Sequence, residues 1–202
     1  MDKRKKKDQG FSLIELIVTI AIMAVVSLAV FGFLSFCMNQ YRQVHYEVRL
    51  QSKAQIVMNQ IDNRMVNASE AIGVDTSTTG EKLWLIERKV SSTTKDTKGN
   101  DVNHYTYSAV CIFHDTSEKE VYLQRYSCVK TDVGYMVTAE DSKESLVGGV
   151  TKFHIILPTQ LKQKETVQVE IEVQENKRTF SDTYEVTVRN DAVDASSKIT
   201  VN

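Results

Sequence analysis

The hydrophobic positions of this chain fall into three regimes. From Leu16 to Met38, 23 consecutive residues carry no charge and are dominated by Leu, Ile, Val, Ala and Phe. A run longer than the roughly 20 residues needed to cross a bilayer predicts a membrane-spanning helix. From Val44 the apolar or small positions recur as Val44, Val48, Ala54, Met58, Ile61, Met65, Ala68 and Ile72, with Gln51 interrupting a three-four spacing. That stripe predicts that the helix continues with one face on a core. No proline occurs from Phe11 to Ile72, and Gly73 is its expected stop.

Past Gly73 the period becomes two. Strands are predicted over Leu83–Val90 and, as a hairpin turning at Asp115-Thr116-Ser117-Glu118, over Val102–Phe113 and Val121–Val129. Ser91 to Asp101 reads as a long exposed loop. Thr151–Leu157 places Phe153, Ile155 and Leu157 on one face, and Val167, Val169, Ile171 and Val173 alternate with polar residues. Asn176 turns the chain into a last alternation at Tyr184, Val186 and Val188. The expected fold is α+β: a long amino-terminal helix, transmembrane in its first half, packed by its second half on a twisted antiparallel sheet.

Charge sharpens the first regime. Residues 1–10 hold Lys3, Arg4, Lys5, Lys6 and Lys7 against Asp2 and Asp8, a net +3, while the whole chain is at −1, so the remainder is at −4. A basic amino flank keeps that side of the span in the cytoplasm and sends the rest outward. The apolar run is too long for the 7–15-residue core of a cleaved secretory signal, which leaves an uncleaved anchor as the plain alternative. Glu15 is what an inert anchor does not explain. A carboxylate inside an apolar helix is costly, about 2.5–3.5 kcal/mol at mid-bilayer, and such groups usually have a partner or a role. No Lys, Arg or His lies in the helical turns that follow it.

At this boundary, Gly10-Phe11-Ser12-Leu13-Ile14-Glu15-Leu16 with basic residues before and an apolar helix after resembles the prepilin cleavage and methylation motif of the type IV pilin family. The resemblance implies that a prepilin peptidase cuts between Gly10 and Phe11 and N-methylates Phe11. It also implies that Glu15 neutralises the new amino group of a neighbouring subunit during assembly. The strand half is similar to the J-type minor pseudopilins of type II secretion and related minor pilins. The residues that carry this are His104-Tyr105-Thr106-Tyr107-Ser108, Leu123-Gln124-Arg125, Val150-Thr151-Lys152-Phe153 and Val186-Thr187-Val188-Arg189-Asn190. The chain lacks the proline common in that family's helix. Gly32 either loosens the helix on packing or lets a neighbour approach.

The implied layout is a leader at 1–10, a transmembrane and filament-core helix at 11–38, an amphipathic continuation at 39–73 and a β-rich head at 74–202. The implied partners are other pilin or pseudopilin subunits, the prepilin peptidase, an inner-membrane assembly platform and membrane lipid. The expected location is the cytoplasmic membrane, then a filament of the envelope or exterior, at its shaft or tip. The competing reading is a single-pass anchored ectodomain that binds or hydrolyses something outside.

Little enzymatic chemistry is legible. His45, His104, His114 and His154 show no metal-ligand spacing, and nucleophile-elbow, P-loop and dinucleotide motifs are missing. Asp115, Glu118 and Glu120 fit a solvated turn better than a calcium loop. No catalytic, cofactor or metal residue is assigned, and the −4 remainder gives no electrostatic reason to expect nucleic acid. Of Cys37, Cys111 and Cys128, the last two fall on adjacent predicted strands with an offset too long for a disulfide, so buried thiols are expected.

Overall fold

The computed structural model describes residues 12–77 and 80–201. It divides into two compact units, residues 1–46 and 47–202. Helix α1, Leu13–Met65, contributes to both. In the first unit its apolar side chains are exposed, and an 18-residue window of mean hydropathy 2.7 is without internal cover, as a lipid- or protein-facing surface requires.

In the second unit α1 buries Leu50, Ala54, Val57, Met58, Ile61 and Met65. The buried face therefore begins at Leu50, whereas Val44 and Val48, placed on the stripe by spacing alone, are exposed. The helix also ends sooner than expected, at Met65 instead of Gly73. The amides of Val66, Asn67 and Ala68 meet the last helical carbonyls, those of Asp62, Arg64 and Met65, and Asn190 Nδ2 holds the turn that follows by donating to the carbonyls of Val66 (2.9 Å) and Ala68 (3.4 Å). Ala71, Ile72 and Gly73 instead enter strand β1, Ala71–Ser77.

The other strands are β2 (Gly80–Lys95), β3 (Asp101–Asp115), β4 (Glu120–Lys130), β5 (Tyr135–Ala139), β6 (Glu144–Gly148), β7 (Val150–Ile156), β8 (Thr166–Glu175), β9 (Arg178–Thr187), β10 (Val193–Asp194) and β11 (Ile199–Val201). The α+β layout holds, but there are two sheets. The larger has the order β10-β1-β2-β3-β4-β5-β11, with β6 also on β4; the smaller is β7-β8-β9. The larger is not purely antiparallel, because β10 pairs parallel with β1 and β11 parallel with β5. The carboxyl-terminal segment thus ties both edges of the β1–β5 sheet and curls it.

The predicted hairpin is present, with Asp115 opposite Glu120. So is the tight turn at Asn176, where Asn176 and Lys177 have φ of 50° and 64°, the conformation of a two-residue hairpin loop. The predicted loop at Ser91–Asp101 is mostly strand: pairing of β2 with β3 continues to Lys95–Asp101. These Ser and Thr residues are polar because both faces of a projecting two-stranded ribbon meet solvent. Ser91 donates to the His104 carbonyl and Thr93 to Asn103 Oδ1 across it.

Burial follows the alternation. One core joins the buried face of α1 to Leu83, Leu85, Ile112, Val121 and Leu123 of the large sheet and to Phe153, Ile155, Val167, Val169, Ile171 and Val173 of the small one. The other lies inside the curl: Trp84, Ile86, Ala109, Cys111, Tyr126, Cys128, Tyr135, Val137 and Ala195. The first half of β2 is covered on both faces at Leu83-Trp84-Leu85-Ile86, which is why that stretch is continuously apolar.

Candidate processing and assembly site

Ser12 precedes the first helical residue, and its carbonyl accepts from the amides of Glu15 (3.0 Å) and Leu16 (3.2 Å). In return Glu15 Oε2 accepts from the Ser12 amide at 2.9 Å. That is the reciprocal half of a capping box, in which an acidic side chain three residues into the helix satisfies a backbone donor at its start. The same carboxylate stands where the positive end of the helix dipole favours negative charge. Ser12-x-x-Glu15 is a capping signature that reading the apolar run alone missed. Gly10 and Phe11 lie outside the described residues.

From Leu16 to Met38 the helix presents uncharged side chains to its surroundings. Two hydroxyls that would be stranded in an apolar medium are satisfied internally: Thr19 donates to the Glu15 carbonyl at 2.6 Å and Ser27 to the Met23 carbonyl at 2.7 Å. Gly32 has open space where a Cβ would stand.

The second unit contains a charged node that the sequence did not announce. Glu70, whose side chain is only 5% exposed, receives Lys130 Nζ at 2.6 Å, Arg88 at 3.2 Å and the Tyr135 hydroxyl at 3.0 Å. Its hydrogen bond to Lys130 raises the lysine's pKa, while burial, then the bond to Glu70, raise that of Tyr135. This network fastens the chain leaving α1 to β2, β4 and β5. Only the pairing of strands brings these four residues together.

A second cluster clasps α1. Arg49 and Lys53 both meet Glu175 at the end of β8, Lys53 at 3.1 Å, and Lys53 also donates to the Gly148 carbonyl at 3.3 Å. The Lys53 hydrogen bond, chiefly, holds the Glu175 carboxyl below its ordinary pKa.

The histidines take up structural partners. His114 bonds the Val150 carbonyl at 3.0 Å, His154 bonds Glu81 Oε1 at 2.6 Å, His104 meets Thr94 at 2.9 Å, and His45 stacks on Tyr41. Asp115 Oδ1 accepts from Ser117 N, Ser117 Oγ and Glu118 N, so its carboxylate is engaged in shaping the turn, as expected of a solvated corner. Cys111 and Cys128 are both free and buried. Cys111 pairs with Gln124 and Cys128 with Tyr107, an offset of four residues or roughly 13 Å along the strands. Burial pushes both thiols up, Cys128 to about 11, so they are protonated and unreactive at neutral pH.

A carboxylate three residues inside the helix start thus heads an apolar helix whose side chains are uncovered. The family described as the prokaryotic N-terminal methylation motif matches residues 5–31, the amino-terminal segment of the chain. That motif and the apolar helix that follows it support a type IV pilin-like subunit. The motif implies processing by a prepilin peptidase and assembly with other pilin subunits, and the helix fits a membrane-anchored pilin. No curated protein and no solved structure matches the chain.

Proposed function

We propose that this protein is a minor pilin or pseudopilin, a non-enzymatic subunit of a type IV pilus or type II secretion-like filament. Residues 1–10 serve as the leader, residues 11–38 as the membrane and then filament-core segment, and the later part of α1 with the β-sheets as the extracytoplasmic head. The peptidase cuts between Gly10 and Phe11 and methylates Phe11. Before assembly the leader's cations hold the amino terminus in the cytoplasm, and the inner-membrane platform then draws the subunit out of the lipid.

In the filament Glu15 pairs with the amino group of a neighbouring subunit. A paired charge is tolerable in such a dry setting and an unpaired one is costly. Its own Ser12 contact occupies one carboxylate oxygen only, so the other can meet a cation. The J-type resemblance of the strand half supports a minor subunit near the filament tip, a placement that co-purification with the host's other minor pilins reads.

The observation that carries the proposal is the methylation motif lying across the charge-to-apolar boundary. Mass spectrometry of the protein from its native host should find a chain beginning at methylated Phe11. An intact Met1, or a cut after residue 30, would establish an anchored or secreted ectodomain instead.

A further inference from the structure

A cavity of about 300 Å³ lies where β1, the start of β2 and the end of β3 meet β7 of the smaller sheet. Two histidines in its wall each have one ring nitrogen engaged and one open. His114, only 5% exposed, donates from Nε2 to the Val150 carbonyl at 3.0 Å, because a carbonyl can only accept. Its Nδ1 is left as a lone pair with no partner among the described residues, and it is not sealed in protein, so it opens on the cavity. His154 commits Nδ1 to Glu81 Oε1 at 2.6 Å and keeps Nε2 for a partner from outside.

The same wall includes a strand edge reduced to one residue. Strand β7 is at the edge of its sheet, and the Ile155 amide leaves the ladder to donate to Glu81 Oε2 at 2.8 Å. Alternation along an antiparallel ladder turns the N–H and C=O of Phe153 the same way, and no described residue bonds them. His114 on the Val150 carbonyl and Glu81 on the Ile155 amide close the edge on either side, so an added strand cannot pair along it. One donor, the Phe153 amide, then stands with three acceptors: the Phe153 carbonyl, His114 Nδ1 and His154 Nε2. The Thr76 hydroxyl, on the same wall, is both. The charged groups there are already engaged, Lys152 by Glu170 at 2.6 Å and Glu81 by His154 and Ile155, so the cavity suits a neutral ligand.

We propose that this cavity binds a neutral sugar residue. An acceptor-rich wall calls for several donors within the breadth of one ring, which the hydroxyls of a pyranose supply. Two neighbouring hydroxyls match Phe153, one accepting from its N–H and the next donating to its carbonyl. A peptide residue brings a single N–H, and Lys152 works against a guanidinium, the other donor-rich group. The volume is at the lower end of ligand sites and fits one ring. Such binding is independent of how the amino terminus is processed.

Titration of the full chain, labelled with nitrogen-15 at phenylalanine and held in a phosphocholine detergent, tests the assignment. The probes are glucose, galactose, mannose, N-acetylglucosamine and their methyl glycosides. At least one sugar should move the Phe153 amide resonance saturably in the millimolar range, at least tenfold more tightly than methylguanidinium or N-acetylalanine methylamide. A glycoside that binds as its free sugar does supports a glycan residue as the ligand, and one that fails to bind where its free sugar succeeds supports the free sugar. Thr76→Trp, at an exposed position of the wall, should fill the cavity and weaken binding at least tenfold with the melting midpoint unchanged. His154→Leu should weaken it likewise. A Phe153 amide that no sugar moves, tighter binding of the guanidinium or the peptide, or wild-type affinity in either variant overturns the proposal.

Discussion

A single carboxylate separates the proposed filament role from that of a plain tether. Glu15 satisfies its own helix start through Ser12 and also carries a charge into an apolar segment. Two substitutions separate these contributions. Glu15→Gln keeps an acceptor for the Ser12 amide and removes the charge, whereas Glu15→Ala removes both. Each should insert into the membrane as wild type does, and each should be depleted from sheared filaments to a similar, severalfold extent if charge pairing drives assembly. A glutamine variant that assembles normally would mean that capping is the whole role. Glu70 is the contrasting case. Nothing in its sequence neighbourhood marks it, because Lys130 and Tyr135 are 60 or more residues away and are delivered by strand order.

At the scale of elements, the clasp between α1 and the end of β8 depends on an ionised Glu175. Its folded-state pKa lies below the ordinary 4.5, so it contributes stability above that value and loses it as pH falls through the depressed one. Denaturant titrations of the full chain in detergent should therefore show an acid-side loss of stability that Glu175→Gln makes shallower. Equal acid limbs in the two proteins would remove the clasp from the account.

The elements also show where pattern reading stops. Strands β8 and β9 were legible because strict alternation around Asn176 leaves one arrangement that buries Val167, Val169, Ile171 and Val173. The outer part of the β2–β3 ribbon was misread as loop, since polarity signals solvent and cannot tell a solvated strand from a solvated loop. Strands β1, β5, β6, β10 and β11 went unseen. They are mostly short, and their pairing partners lie elsewhere in the chain.

For the whole molecule, the decisive feature is the carboxyl-terminal segment that ties β1 to β5. Gly73 illustrates how closely it sits: a Cβ there would stand 2.9 Å from the Ala195 carbonyl carbon. The Ala195 amide donates to the Ile72 carbonyl at 2.9 Å and the Tyr135 amide to the Lys198 carbonyl at 2.8 Å. Trp84, the only tryptophan, lies in the curled core at 3% exposure beside Tyr126 and in the same cluster as Ala195. Truncation after Ala192 should open both sheet edges, shift Trp84 emission to the red and promote aggregation through the uncovered strands. An unchanged Trp84 spectrum in the truncated chain would show that the curl holds without its tie.

By itself the sequence determined the features that depend on local composition and period. These are a span long enough for a bilayer, the basic flank before it, the anomalous Glu15, and the α+β order with its alternating strands. Hydropathy and charge act on each residue whatever its distant neighbours are, so a linear reading recovers them. The tertiary structure alone decided where α1 stops, which half of its later surface is buried, the closure of the large sheet, and the gathering of Glu70 with Arg88, Lys130 and Tyr135. Each of those depends on backbone partners and charges brought from far along the chain, and sequence order carries no distance between them.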